Sequence, residues 1–282
     1  AYCGLGPEQV FIGNGSDEVL AHTFLGLLRH ELPIQFPDVT YSFYPVWCDL
    51  YGVAYRKVPL ADDFSVDPDA YAEEHGGIII PNPNAPTGMA MSLDDTRALL
   101  EKNPNAVVVI DEAYIDFGGS SAVPLIPEYD NLLVIQTLSK SRALAGLRVG
   151  AALGQAHLIE GLERVKNSFN SYPLDCVAQR GALAALEDVA YFRAICGRVV
   201  ASRERLGREL AGLGFEVLPS AANFLLARHP GREGRVLFSA LRDRGIIVRY
   251  FDQPRIDDYL RISVGTDEQC DALLAALREI LA

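Results

Sequence analysis

At 282 residues and 30.8 kDa, with 49% hydrophobic content, the chain can hide roughly three quarters of its unfolded surface in a full core. Its net charge of −12 argues against a general nucleic-acid or membrane-surface binder and favours small-molecule chemistry. Five scattered cysteines (Cys3, Cys48, Cys176, Cys196, Cys270) form no Cys-x-x-Cys pair, which disfavours a disulfide framework or a zinc site and points to a reducing cytoplasm.

The five histidines are equally isolated, so no metal is expected, and no apolar run approaches membrane-spanning length. From Val10 to Gly154 short β-rich runs alternate with helical stretches. The runs are Val10–Ile12, Pro33–Phe36, Gly52–Val58, Ile78–Ile80, Val107–Ile110, Leu132–Ile135 and Val149–Leu153. That alternation predicts crossover units and a mostly parallel, seven-stranded sheet, hence an α/β fold. Leu174 to Leu213 is rich in Ala, Leu, Arg and Glu with helical periodicity, interrupted only by Gly181 and Gly197, and predicts one long or kinked helix. Beyond it come strands at Phe215–Leu218, Phe224–Ala227, Ile246–Arg249 and Leu260–Val264, and helices at Arg235–Arg244 and Asp267–Leu281. We therefore expect a large α/β domain over residues 1–173. An interdomain helix and a small α+β domain are expected over 174–282, packed on the first rather than tethered.

Three strand ends carry chemistry. The run Leu132–Ile135 leads into Thr137-Leu-Ser139-Lys140, the run Val107–Ile110 into Asp111-Glu112-Ala-Tyr114, and the run Ile78–Ile80 into Pro81-Asn82-Pro83-Asn84-Ala85-Pro86-Thr87-Gly88. Ligands of open α/β sheets bind outside the carboxyl ends of the strands. A lysine there, near Arg142 and Arg148, can act as a nucleophile that forms a Schiff base with an aldehyde. A carboxylate buried against a pyridine nitrogen keeps it protonated; Asp111 is placed for that, with capping of the next turn as its rival role. Tyr114 reaches a phenolic oxygen if its segment turns helically. Glu112 should point the other way. Lysine, acid, phenol and amide together suit pyridoxal phosphate.

A phosphate needs backbone N–H groups at a helix start, and Gly13-Asn14-Gly15-Ser16-Asp17 supplies them, with Ser16 also readable as an N-cap. Thr137, Ser139 and Arg148 add hydroxyls and a cation. Tyr41 can stack on a cofactor ring, with core packing as the alternative. Arg261 lies in an apolar strand and needs an anionic partner, for which a substrate carboxylate would serve. Arg249 ends another apolar strand and can bind a second anion.

Seven motifs, in order, carry a resemblance. They are Gly13-Asn-Gly-Ser-Asp-Glu18, Thr40-Tyr-Ser-Phe-Tyr-Pro45, Asn82-Pro-Asn-Ala-Pro-Thr-Gly88, Asp111-Glu-Ala-Tyr114, Ser139-Lys140, Ala145-Gly-Leu-Arg148 and Arg261-Ile-Ser-Val-Gly265. With them the chain resembles the fold-type-I pyridoxal-phosphate aminotransferases and, within these, the histidinol-phosphate aminotransferases of histidine biosynthesis. The resemblance implies that Lys140 forms the Schiff base and shuttles a proton, that Asp111 holds the ring nitrogen, and that Tyr114 bonds the phenolic oxygen. It further implies phosphate contacts from Ser16, the Asp17 amide, Thr137 and Arg148, stacking by Tyr41, and a substrate carboxylate on Arg261. The implied substrates are an amino donor, L-histidinol phosphate, and a 2-oxo acid, 2-oxoglutarate; the implied assembly is a homodimer. Two departures stand out. Relatives place an asparagine where this chain has Ala85, for which Asn84 is the candidate replacement. They also carry an N-terminal stretch before the position of Ala1, including a tyrosine that reaches the partner's cofactor phosphate, so a folded chain that binds cofactor weakly is one expectation. An aromatic-amino-acid aminotransferase or a phosphorylated-amino-acid decarboxylase would share every cofactor residue. A non-catalytic binding domain is the reading from a different class.

Overall fold

The computed structural model describes residues 3–71 and 74–282. Seven strands form one sheet: β1 (Val10–Asn14), β2 (Ile34–Pro37), β3 (Tyr55–Val58), β4 (Gly77–Pro81), β5 (Val108–Asp111), β6 (Leu132–Thr137) and β7 (Val149–Gly154), in the spatial order β1-β7-β6-β5-β4-β2-β3. The pairs among β3, β2, β4, β5 and β6 are parallel, and β7 runs antiparallel to both β6 and β1. The sheet is thus mostly parallel, with one reversed strand. Helices α1 (Ser16–Gly26), α2 (Tyr44–Tyr51), α3 (Leu93–Lys102) and α4 (Ala156–Phe169) connect or cover it.

Helices on both faces explain why the central strands read as unbroken apolar runs. Ile78, Ile79 and Ile80 are all fully buried, as are Val108–Ile110 and Leu132–Ile135. Alternate members enter two separate cores. Ile79, Val109, Leu133 and Ile135 pack with α1, α2 and α4, whereas Ile78, Ile80, Val108, Ile110 and Val134 pack with α3. Each such side chain contributes about 1.5–3 kcal/mol relative to exposure.

The helical stretch after the sheet is divided differently from the expectation. It forms α5 (Cys176–Glu187) and α6 (Val189–Gly212), and the break falls at Asp188 rather than at either glycine. Asp188 ends α5 outside helical geometry (φ −82°, ψ 67°), and its side chain accepts the Tyr191 N–H as the N-cap of α6. Competition of a short acidic side chain for backbone groups outweighs the mid-helix glycines.

A second, antiparallel sheet follows: β8 (Glu216–Val217), β9 (Phe224–Arg228), β10 (Arg249–Tyr250) and β11 (Tyr259–Ser263), in the order β10-β11-β9-β8. Helices α7 (Gly234–Asp243) and α8 (Asp267–Leu281) pack on it around Leu206, Leu237, Leu260 and Leu274. The strand expected over Ile246–Arg249 is shorter and later than its apolar run: Ile247 is 77% exposed, and pairing with β11 begins at Arg249. Among the described residues no helix is long and apolar enough to cross a membrane. All five cysteines are free.

Candidate active site

Register brings the first group of residues together. Because β7 opposes both neighbours, Asn14 pairs with Val149 and Thr137 pairs with Gly150. The end of β1, the end of β6 and the start of β7 therefore meet at one sheet edge, with Gly15 and Ser16 opening α1 there. Gly15 has φ 86°, a left-handed geometry that glycine adopts without cost. A Cβ at Gly15 would lie 2.4 Å from Arg148 Nη2, so the guanidinium sits directly against the turn. Arg148 pairs with Asp17 (Nη2 to Oδ2, 3.1 Å), and the Tyr41 hydroxyl donates to Asp17 Oδ1 at 3.3 Å. Nearby, the Thr137 hydroxyl donates to Ser139 Oγ at 3.0 Å and accepts from the Ser139 N–H at 3.2 Å. The start of α1, its dipole, one arginine and two hydroxyls thus surround a point suited to an anion.

Strand β5 supplies the acid. Asp111 is 4% exposed. Its Oδ1 accepts the Ala113 N–H at 3.2 Å, and its Oδ2 accepts the Tyr44 hydroxyl at 2.8 Å. Burial is the main influence on this carboxyl and pushes its pKa up to about 6, against the lowering effect of its hydrogen bonds and of Lys140. A carboxylate has about four lone-pair sites, so Asp111 retains acceptor capacity. Lys140 follows β6, is exposed, and places Nζ 5.3 Å from the centre of the Tyr114 ring. Tyr114 stands at the entry to the short helical turn Ile115–Phe117.

Phe224 on β9 links the two sheets. Tyr114 meets it edge-to-face at 5.1 Å, and the Arg261 guanidinium lies 5.0 Å over the same ring. Arg261 also lies 5.6 Å from Phe251, and its Nε is buried without a hydrogen-bond partner. Desolvation holds its pKa below the ordinary arginine value. Arg249 faces Arg261 across the β10–β11 ladder and lies over Phe251 at 5.3 Å. Two guanidiniums opposite one another on aromatic platforms make a local concentration of positive charge within an acidic protein.

In the loop after β4, Asn82 is engaged at both ends by Met91 backbone, at 2.9 and 3.2 Å. Asn84 donates to the Val39 carbonyl at 2.9 Å, while its Oδ1 is buried and unpartnered. It therefore braces the segment that leads into Tyr41. Sequence reasoning missed Tyr44 and Phe224. The Tyr-x-x-Tyr spacing at a helix start is a usable signal for the first, whereas nothing marks the second among other strand phenylalanines.

The family model for aminotransferase class I and II matches residues 1–277. The chain belongs to the class I and II aminotransferases. It is 62% identical over 281 residues to histidinol-phosphate aminotransferase 2 of Thiobacillus denitrificans, covering 99% of this chain and 79% of that one. It is 61% identical over 281 residues to histidinol-phosphate aminotransferase 1 of Bradyrhizobium diazoefficiens, covering 100% and 80%. Among solved structures, this aminotransferase superposes with a TM-score of 0.88 on the histidinol-phosphate aminotransferase of Sinorhizobium meliloti, which was crystallised in complex with pyridoxal 5'-phosphate. The identity is 27%, over 99% of this chain and 78% of that one. The fold is also that of the Clostridium acetobutylicum histidinol-phosphate aminotransferase, with a TM-score of 0.92 at 24% identity, covering 99% and 86%.

Proposed function

We propose that this aminotransferase binds pyridoxal 5'-phosphate among the residues above and moves an amino group between L-histidinol phosphate and 2-oxoglutarate. One observation carries the reading: an amine, a buried carboxyl with spare acceptor capacity and an arginine-backed helix start share one sheet edge. The residues fit the group. Its phosphate suits the N–H groups of Gly15 to Asp17, the hydroxyls of Ser16, Thr137 and Ser139, and Arg148; its ring suits Tyr41 on a face, with Tyr114 and Asn84 for the phenolic oxygen.

When bound, the group supplies an aldehyde and a protonated ring that draws electrons from a substrate Cα. Lys140 Nζ is the amine that would hold the aldehyde, and the same nitrogen would serve as the base that carries a proton to and from the substrate Cα. Asp111, with a pKa near 6, is ionised at neutral pH and holds the proton on the ring nitrogen. Arg261 receives the α-carboxylate of the glutamate half-reaction, and Arg249 joins it for the phosphate of the other donor. The names of the two relatives at about 60% identity support this substrate pair.

The assembly in this reading is a cytoplasmic homodimer. Exposed apolar side chains at the end of α4 and the start of α5 (Phe169 at 81%, Tyr172 at 91%, Val177 at 67%) support a partner surface there. The test is borohydride reduction of the purified chain with pyridoxal phosphate, mass mapping of the modified residue, and transamination assays with histidinol phosphate beside aromatic amino acids. Label on Lys140 and preference for histidinol phosphate are expected. Label elsewhere defeats the site, and preference for an aromatic amino acid, or release of carbon dioxide, defeats the substrate.

A further inference from the structure

Tyr44 touches neither substrate nor cofactor in the proposed reaction. It is the first residue of α2 and fully buried, with its ring packed against Phe24, Phe36 and Tyr41 at centroid distances of 5.9, 5.9 and 5.6 Å. From this aromatic box the hydroxyl donates to Asp111 Oδ2 at 2.8 Å. Burial and the Asp111 charge push the phenol's own pKa well above its ordinary value, so the group remains a donor at working pH.

The carboxylate torsion of an aspartate is soft and roughly two-fold. At Asp111 each oxygen has its own anchor: the Ala113 N–H holds Oδ1, and the Tyr44 hydroxyl holds Oδ2. One anchor is backbone and the other is a buried ring packed among Phe24, Phe36, Tyr41 and Trp47. We propose that Tyr44 is a positioning residue for Asp111, locking the plane of its carboxylate so that the remaining lone pairs are presented to the cofactor's ring nitrogen. This rests on the assignment of Asp111 above. The charged and titratable groups around Asp111 are Asp17 from α1, Tyr41 before α2, Tyr44 on it, and Lys140 after β6. Of these, Tyr44 makes the hydrogen bond that most favours the ionised form.

Tyr44→Phe removes one oxygen and keeps the ring. The Asp111 carboxyl would be followed by ¹³C NMR of aspartate-labelled chain, assigned by its absence in Asp111→Asn, before and after addition of pyridoxal phosphate. In the variant its titration should move up by about one pH unit. The variant's kcat should fall about tenfold with KM within about twofold, and the acid limb of its kcat profile should follow the same upward shift. In an Asp111→Asn background, Tyr44→Phe should change kcat no further. An unmoved titration in Tyr44→Phe overturns the proposal, and so does a moved titration with wild-type kcat. If Asp111→Asn itself turns over normally, the assignment of Asp111 fails, and that result is distinct from either outcome in Tyr44→Phe.

Discussion

Asp111 and Glu112 are consecutive carboxyls on opposite faces of one strand end, and burial pushes both up, to about 6 and about 7. Their surroundings differ in kind. Glu112 receives the Ser121 hydroxyl, the Ala122 N–H and the Gln136 amide at 2.6–2.8 Å, and it borders a cavity of about 1010 Å³ beside β1 and β7 that has no lysine in its lining. Asp111 has two donors, one of them long, and faces Lys140. A shifted pKa thus reports burial on both sides of the strand; what separates them is the acceptor capacity that Asp111 leaves open on the side of Lys140.

The largest effect is expected at the amine. Lys140→Ala should lose all borohydride-fixed cofactor while keeping the wild-type thermal transition; cofactor fixed as before would move the chemistry to another lysine. Next, Asp111→Asn should keep cofactor and lose about 10²–10³ in kcat, whereas Glu112→Gln should stay within about twofold. Equal losses in the two would mean that their faces are functionally alike. Third, Arg261→Ala should raise the KM for 2-oxoglutarate by about tenfold to a hundredfold with a smaller effect on kcat, and an unchanged KM would take the carboxylate elsewhere.

The smallest effect lies in stability against pH. Folding raises both carboxyls from model values of 3.8 and 4.5, so the folded chain holds more protons than the unfolded one between those values and about 6 to 7. Their stabilising contribution is complete below about pH 4 and is lost as pH rises through about 7, by about 3 kcal/mol each as an upper figure. Urea melts from pH 5 to 8 should show the decline, and Glu112→Gln should flatten it. A slope identical to wild type would remove Glu112 from the account.

The large sheet was legible because its strands are buried on both faces, and an all-apolar run of four residues such as Leu132–Ile135 carries that signal locally. Lys140, Asp111 and Arg148 stood out as candidates for the same reason: each follows or precedes such a run at the edge where loops converge. The reversed direction of β7 was not, since nothing within Val149–Leu153 encodes its neighbours. Tyr44 and Phe224 escaped because their importance lies in contacts 67 residues away along the chain and across two sheets. The break at Asp188 escaped for a local reason, in that glycine content misleads when a capping side chain decides where a helix restarts.

Where β7 passes beneath the start of α1, a Cβ on Gly150 would lie 2.3 Å from the Ser16 nitrogen and 2.5 Å from the Gly15 carbonyl carbon. Any side chain there must lift the whole turn away from Arg148, so a residue with no side chain sets the height of the proposed anion cradle. Laboratory evolution of new substrates should accordingly find its changes on β10 and β11, around Arg249 and Arg261, and leave this crossing as inherited.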